Sequence, residues 1–129
     1  MSFEVRPLAP IGAEIVGLDL RRDLDEADFA ALRRTIVEQG VVVLHDQHLR
    51  PAQHVALGHR FGEPERGAFN EDTPDPELIL LTNRGRDGRI LPADDVRMRL
   101  VNINEGWHTD SSFRPIPATF SLFAAVVVP

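Results

Sequence analysis

Trp107-His108-Thr109-Asp110-Ser111-Ser112-Phe113 is the stretch on which the reading of this chain turns, because metal-binding side chains stand closest together there. An imidazole and a carboxylate two residues apart suit a non-haem Fe(II) ion, which takes nitrogen and oxygen donors and keeps positions open for reactants. In a strand, residues i and i+2 point to one side, so His108 and Asp110 would converge while Thr109 faces away. The bare spacing is common, and the competing reading is a solvated turn in which Asp110 accepts backbone hydrogen bonds. A facial triad also needs a third ligand, and no histidine follows His108.

Working outward, the run Asn102 to Pro129, NINEGWHTDSSFRPIPATFSLFAAVVVP, resembles the iron-binding segment of the TauD/TfdA family of Fe(II)- and 2-oxoglutarate-dependent dioxygenases. The likeness continues upstream through GAEIVGLDL, GVVVLHDQHL and the Arg60-Phe61-Gly62-Glu63-Pro64 turn, in the family's order and over nearly the whole chain. WHTDSSFR followed by a Pro-Ala pair and an apolar run is closer to the 2,4-dichlorophenoxyacetate dioxygenase branch than to the taurine branch. The resemblance implies a fold of the α+β class, a partial double-stranded β-helix (jelly roll) with flanking helices, the C-terminal half of the usual domain missing. It implies Fe(II) as cofactor, 2-oxoglutarate as co-substrate, and hydroxylation of a small, anionic organic substrate. His108 and Asp110 would be the catalytic metal ligands, Asn104 a substrate-contacting amide, and Asn70 a second substrate-pocket residue; a turn role is the alternative for both asparagines. Trp107 is expected to pack and aim His108, Ser111 and Ser112 to hydrogen-bond Asp110 or the backbone, and Phe113 to cover the pocket or core. Arg114 stands too early to be the family's co-substrate arginine.

Size and composition set bounds on these expectations. At 129 residues, residues 1–129 read as a single domain, corresponding to about the first half of such a dioxygenase. A net charge of −6, with 14 basic residues that are all arginine against 20 acidic ones, argues against nucleic-acid binding. The absence of cysteine excludes disulfides and thiolate chemistry within the sequence. No run reaches the length of a membrane span and the N-terminus lacks a signal-peptide pattern, so a cytoplasmic location is expected.

Taken in order, Phe3, Val5 and Leu8 predict a first strand, and Gly12 to Asp19 a second, with Ala13, Ile15 and Gly17 sharing a side. Asp25 is placed to cap a helix carrying Phe29, Leu32 and Ile36 on one stripe, with Gly40 as its stop. Val41 to Leu44 reads as a buried strand. Pro51 begins a helix over 51–60, which Gly62 ends through left-handed backbone angles and Pro64 prevents from continuing. His45, His48, His54 and His59 match no metal pattern and are expected to be structural or exposed. Residues 65–77 are a long surface loop, Leu78 to Leu81 a strand, Arg84 to Arg89 a mobile connection, and Arg97 to Ile103 an alternating strand leading into the iron segment.

Two rival functions stand beside the enzyme. One is a non-catalytic dioxygenase remnant acting as a structural or interaction protein, and the other an acidic small-molecule binding protein. The apolar terminus Phe120 to Val128 predicts an exposed sheet edge and homo-oligomerisation through it.

Overall fold

The computed structural model describes residues 2–66, 75–85, 87–103 and 106–127. They fall into two compact units, Met1–Pro64 with Phe123–Pro129, and Glu65–Leu122.

The first unit is built on a three-stranded mixed sheet in the order β1-β2-β3. Strand β1 (Glu4–Pro7) runs antiparallel to β2 (Ala13–Val16), pairing Glu4 with Val16 and Pro7 with Ala13. The connection is tight: Leu8 donates its N–H to the Gly12 carbonyl at 2.9 Å. Gly12 sits at φ 90°, and a Cβ there would lie 2.6 Å from Val41 Cγ1, so only glycine fits between the two strands. Parallel to β2 lies β3 (Val42–Val43), in register Ala13 to Val42. Parallel neighbours need a long crossover, and helix α1 (Glu26–Gln39) supplies it.

Helix α1 follows from its ends inward. Asp25 accepts the Asp28 N–H at 2.8 Å, and Gly40, at φ 77°, donates to the Ile36 carbonyl at 2.8 Å. The Asp28 carboxylate binds the Ser2 backbone N–H at 2.8 Å and the Ser2 hydroxyl, tying the start of the chain to the helix. The helix buries Phe29, Ala31, Leu32 and Thr35. With Phe3, Ile15 and Leu18 these form the core, against which Ile36, Val42, Leu44 and Phe61 pack. Ala13 and Ile15 are buried as the alternation requires; Leu18 joins them because the strand ends at Val16 and Gly17, at φ 93°, turns the chain. The stretch Val41–Leu44 expected as a buried strand pairs over only two residues and stays half-exposed, because only one of its faces meets α1 and the core.

Helix α2 (Pro51–Phe61) begins at Pro51, and Gln53 Oε1 accepts the Arg50 N–H at 3.0 Å. It ends at Gly62, whose φ 154° and ψ −168° lie in the extended region reserved for glycine and not in the left-handed helical well expected. Three side chains from residues 47–60 tie down the carbonyls between β2 and α1. Gln47 donates to Leu18 O at 3.1 Å and accepts from Leu20 N at 2.8 Å, Gln53 donates to Arg21 O at 2.9 Å, and Arg60 donates to Leu24 O.

The second unit departs further from expectation. Leu78 to Leu81 is no strand: it joins no sheet ladder among the described residues, Leu78 donates its N–H to the Asp75 carbonyl at 3.0 Å, and Ile79, Leu80 and Leu81 are exposed. The residues flanking the expected mobile connection are paired, with an Arg84–Ile90 bridge, Gly85 N–H on Arg89 O and Leu91 N–H on Asn83 O, both at 2.8 Å. The expected strand 97–103 is a helix, α3 (Val96–Ile103). Asp95 explains it, accepting the Arg97 N–H at 2.9 Å on its side chain and the Met98 N–H at 3.0 Å on its carbonyl. No helix among the described residues is long and apolar enough to cross a membrane.

Candidate metal centre

His108 stands in irregular backbone just before a turn that begins at Asp110, not in a strand, yet the two side chains meet. His108 Nε2 stands 3.2 Å from Asp110 Oδ1. Beyond the pair, Ser111, at φ 57°, reverses the chain, and Arg114 N–H closes on Ser111 O at 3.0 Å. Ser111 itself is buried, anchoring the turn, while both site side chains are reached by solvent.

The remaining polar atoms of the pair are engaged. His108 Nδ1 is 2.8 Å from the Gly106 carbonyl, which can only accept, so Nδ1 carries a proton. Asp110 Oδ2 accepts from the Ser121 hydroxyl at 3.3 Å. What is left is Nε2 and a carboxylate oxygen facing each other, an arrangement that a proton or a metal cation between them satisfies. Two neighbouring ligands on an ion with bonds of about 2.1 Å stand about 3 Å apart when they subtend a right angle. The donor types and their separation therefore fit a first-row divalent ion as two of its ligands. Among the described residues no group of three His, Cys, Asp or Glu side chains could hold a metal.

Other expectations resolve differently. Trp107 and Phe113 are fully exposed side chains, at 108% and 82%, since the turn gives them no sheet to pack on. Arg114 lies over the Phe113 ring at 5.7 Å and pairs with Glu65 at 3.2 Å. Ser112 hydrogen-bonds backbone, one of its two expected roles, donating to the Thr109 carbonyl at 3.4 Å; the serine on the carboxylate is Ser121, at 3.3 Å and eleven residues away from Asp110. Its one sequence signal is a lone hydroxyl inside the apolar run Phe120-Ser121-Leu122-Phe123. Asn70 and Asn104 lie outside the described residues. A cavity of about 520 Å³ opens beside the hairpin, lined by Gly85, Arg89, Ile90, Leu91, Pro92 and Arg97 among others.

The facing His108 and Asp110 side chains make a candidate metal centre, and comparison with known proteins gives the chain its family. Residues 4–129 match the family described as taurine catabolism dioxygenase TauD, TfdA family, and the chain belongs to that family. It is 35% identical over 131 residues to the (S)-phenoxypropionate/alpha-ketoglutarate-dioxygenase of Sphingobium herbicidovorans, covering 99% of this chain and 42% of that enzyme. To the alpha-ketoglutarate-dependent 2,4-dichlorophenoxyacetate dioxygenase of Cupriavidus pinatubonensis it is 32% identical over 136 residues, covering 100% of this chain and 47% of the other. The crystal structure of AAD-2 in complex with Mn(II) and N-oxalylglycine matches with a TM-score of 0.76 at 31% identity, over 92% of this chain and 40% of that one. The chain thus spans less than half the length of these relatives.

Proposed function

We propose that this chain carries two of the three protein ligands of an Fe(II)- and 2-oxoglutarate-dependent dioxygenase that hydroxylates a small, anionic organic substrate. The observation that carries the reading is the His108 Nε2 to Asp110 Oδ1 separation of 3.2 Å, with the other donor atom of each side chain already hydrogen-bonded. His108 and Asp110 would hold the ion. When bound with 2-oxoglutarate, Fe(II) supplies O2-dependent hydroxylation of a C–H bond, coupled to decarboxylation of the 2-oxo acid to succinate and CO2.

The chain's own residues orient the two donors. The Gly106 carbonyl accepts from Nδ1 and so orients the imidazole, and the Ser121 hydroxyl donates to Asp110 Oδ2. By resemblance to the family, a third ligand and an arginine for the far carboxylate of 2-oxoglutarate would complete the site; in the sequence no histidine follows His108 and no arginine follows Arg114. In this reading β1, β2 and β3 belong to a double-stranded β-helix, and the protein is cytoplasmic. Asn70 and Asn104 remain proposed substrate contacts. An anionic substrate is supported by the segment 84–99, where five arginines meet three aspartates in a chain of net charge −6. The phenoxyacid substrates in the names of the two relatives point the same way.

A second reading, a non-catalytic interaction protein that self-associates, is favoured by Phe123, Val126 and Val127, which expose 76%, 88% and 89% of their surface. An anaerobic Fe(II) titration with and without 2-oxoglutarate, followed by the charge-transfer absorption of the chelate, separates the two. The enzyme reading expects binding that strengthens with 2-oxoglutarate and disappears in His108→Ala. A folded sample without that absorption overturns it and leaves the interaction protein.

A further inference from the structure

We propose that Ser121 is a positioning residue for the metal-binding carboxylate: its hydroxyl engages Asp110 Oδ2 and so leaves Oδ1 as the single oxygen facing His108 Nε2. The inference rests on the metal reading of His108 and Asp110 and goes beyond it by assigning a task to a residue outside the ligand motif.

A carboxylate beside a divalent ion has two ways to bind, through one oxygen or through both. The second mode occupies an additional coordination position. The proposed chemistry would not spare one, because beyond its protein donors the ion would need its remaining positions for the 2-oxo acid and O2. Something must therefore distinguish the two oxygens of Asp110. Oδ1 lies 3.2 Å from His108 Nε2, whereas Oδ2 accepts the Ser121 hydroxyl at 3.3 Å. A hydrogen bond to one oxygen lowers its availability as a donor and resists rotation of the carboxylate that would bring it round to the ion.

Among the described residues, the other nearby hydroxyl and cation are engaged elsewhere: Ser112 turns to the Thr109 carbonyl, and Arg114 pairs with Glu65. Ser121 is exposed, so its hydroxyl has water available and is not forced onto Asp110 by burial. The arrangement also mirrors that of the histidine, whose ring is fixed through Nδ1 by the Gly106 carbonyl. Each ligand thus has one atom held by the chain and one presented.

The test is an anaerobic Fe(II) titration of the 129-residue chain as unsubstituted protein, Ser121→Ala, Ser121→Thr and His108→Ala, with the visible spectrum of bound Co(II) as a second readout. Ser121→Ala is expected to weaken Fe(II) binding about tenfold, the lower end of what loss of such a supporting contact costs. Ser121→Thr keeps the hydroxyl and is expected to restore affinity to within about twofold. The Co(II) spectrum should shift toward higher coordination number in Ser121→Ala alone, a change that a merely structural serine would not produce. His108-dependent binding that is unchanged in Ser121→Ala, with an unchanged Co(II) spectrum, overturns the role of Ser121 and leaves the metal reading standing. Absence of His108-dependent binding in the unsubstituted chain overturns both.

Discussion

Arg60→Ala tests what holds α2 to the entry of α1. The Arg60 guanidinium donates to the Leu24 carbonyl and to Glu26, and lies 4.1 Å from the centroid of the Phe29 ring. These contacts are unequal. A charged donor on a partly buried carbonyl contributes about 1.5–3 kcal/mol, and the cation–π contact about 0.5–1 kcal/mol. Glu26 is 92% exposed, so its ion pair adds less than about 0.5 kcal/mol. Because one side chain makes all the contacts and they are not additive, the expected loss for Arg60→Ala is about 2–3 kcal/mol. Glu26→Ala should cost under about 0.5 kcal/mol. Urea denaturation followed by far-UV circular dichroism measures both. Equal losses in the two variants would refute the reasoning, since they would make the exposed ion pair, not the carbonyl and the ring, the source of the stability.

Leu32, at 2% exposure, is the best-buried large side chain, and Leu32→Ala should lower unfolding free energy by about 3 kcal/mol in the same assay. Gly12→Ala should cost more than Gly88→Ala: both glycines have positive φ, at 90° and 77°, but a Cβ meets Val41 at 2.6 Å in the first and open space in the second. Gly88→Ala should then cost about 1 kcal/mol for its backbone alone. Hydrogen bonds from Arg21 and Arg97 hold the Asp19 and Asp95 carboxyls down at about 2, below the ordinary 3.8. Native-state values below those of the unfolded chain mean a stabilisation present above about pH 4 and lost as pH falls toward 2. The melting temperature should drop across that window, less steeply in Asp19→Asn; parallel curves would refute the assignment.

The parts of the fold legible in the sequence are those whose signals are local. Asp25 and Gly40 mark both ends of α1 because caps are short-range chemistry, and Pro51 marks the start of α2 for the same reason. The strand expected at Leu78 to Leu81 failed because an apolar run reports burial, not pairing, and a strand requires a partner that the run does not encode. Arg97 to Ile103 alternates polar and apolar residues and so imitates a strand; the overriding signal was Asp95, whose side chain and carbonyl start α3. At the His108–Asp110 pair, the residue types and their spacing could be read, but not the geometry. The side chains meet from irregular backbone, which a two-residue strand period does not predict, and the hydroxyl on Asp110 comes from a position with only its polarity to mark it.

The side-chain ties on the segment between β2 and α1 also set an order of events at the ribosome. Leu18, Leu20, Arg21 and Leu24 find their partners in Gln47, Gln53 and Arg60, the last of these 36 residues further along. At a synthesis rate of about 5–20 residues per second, roughly 2–7 s separate the appearance of Leu24 from that of Arg60. During that interval α1 already has its own caps, whereas the segment preceding it has only water to satisfy those carbonyls. Until residues 47–60 have been made, the backbone groups of Leu18, Leu20, Arg21 and Leu24 lack these partners, so this segment is fastened by residues that emerge after α1.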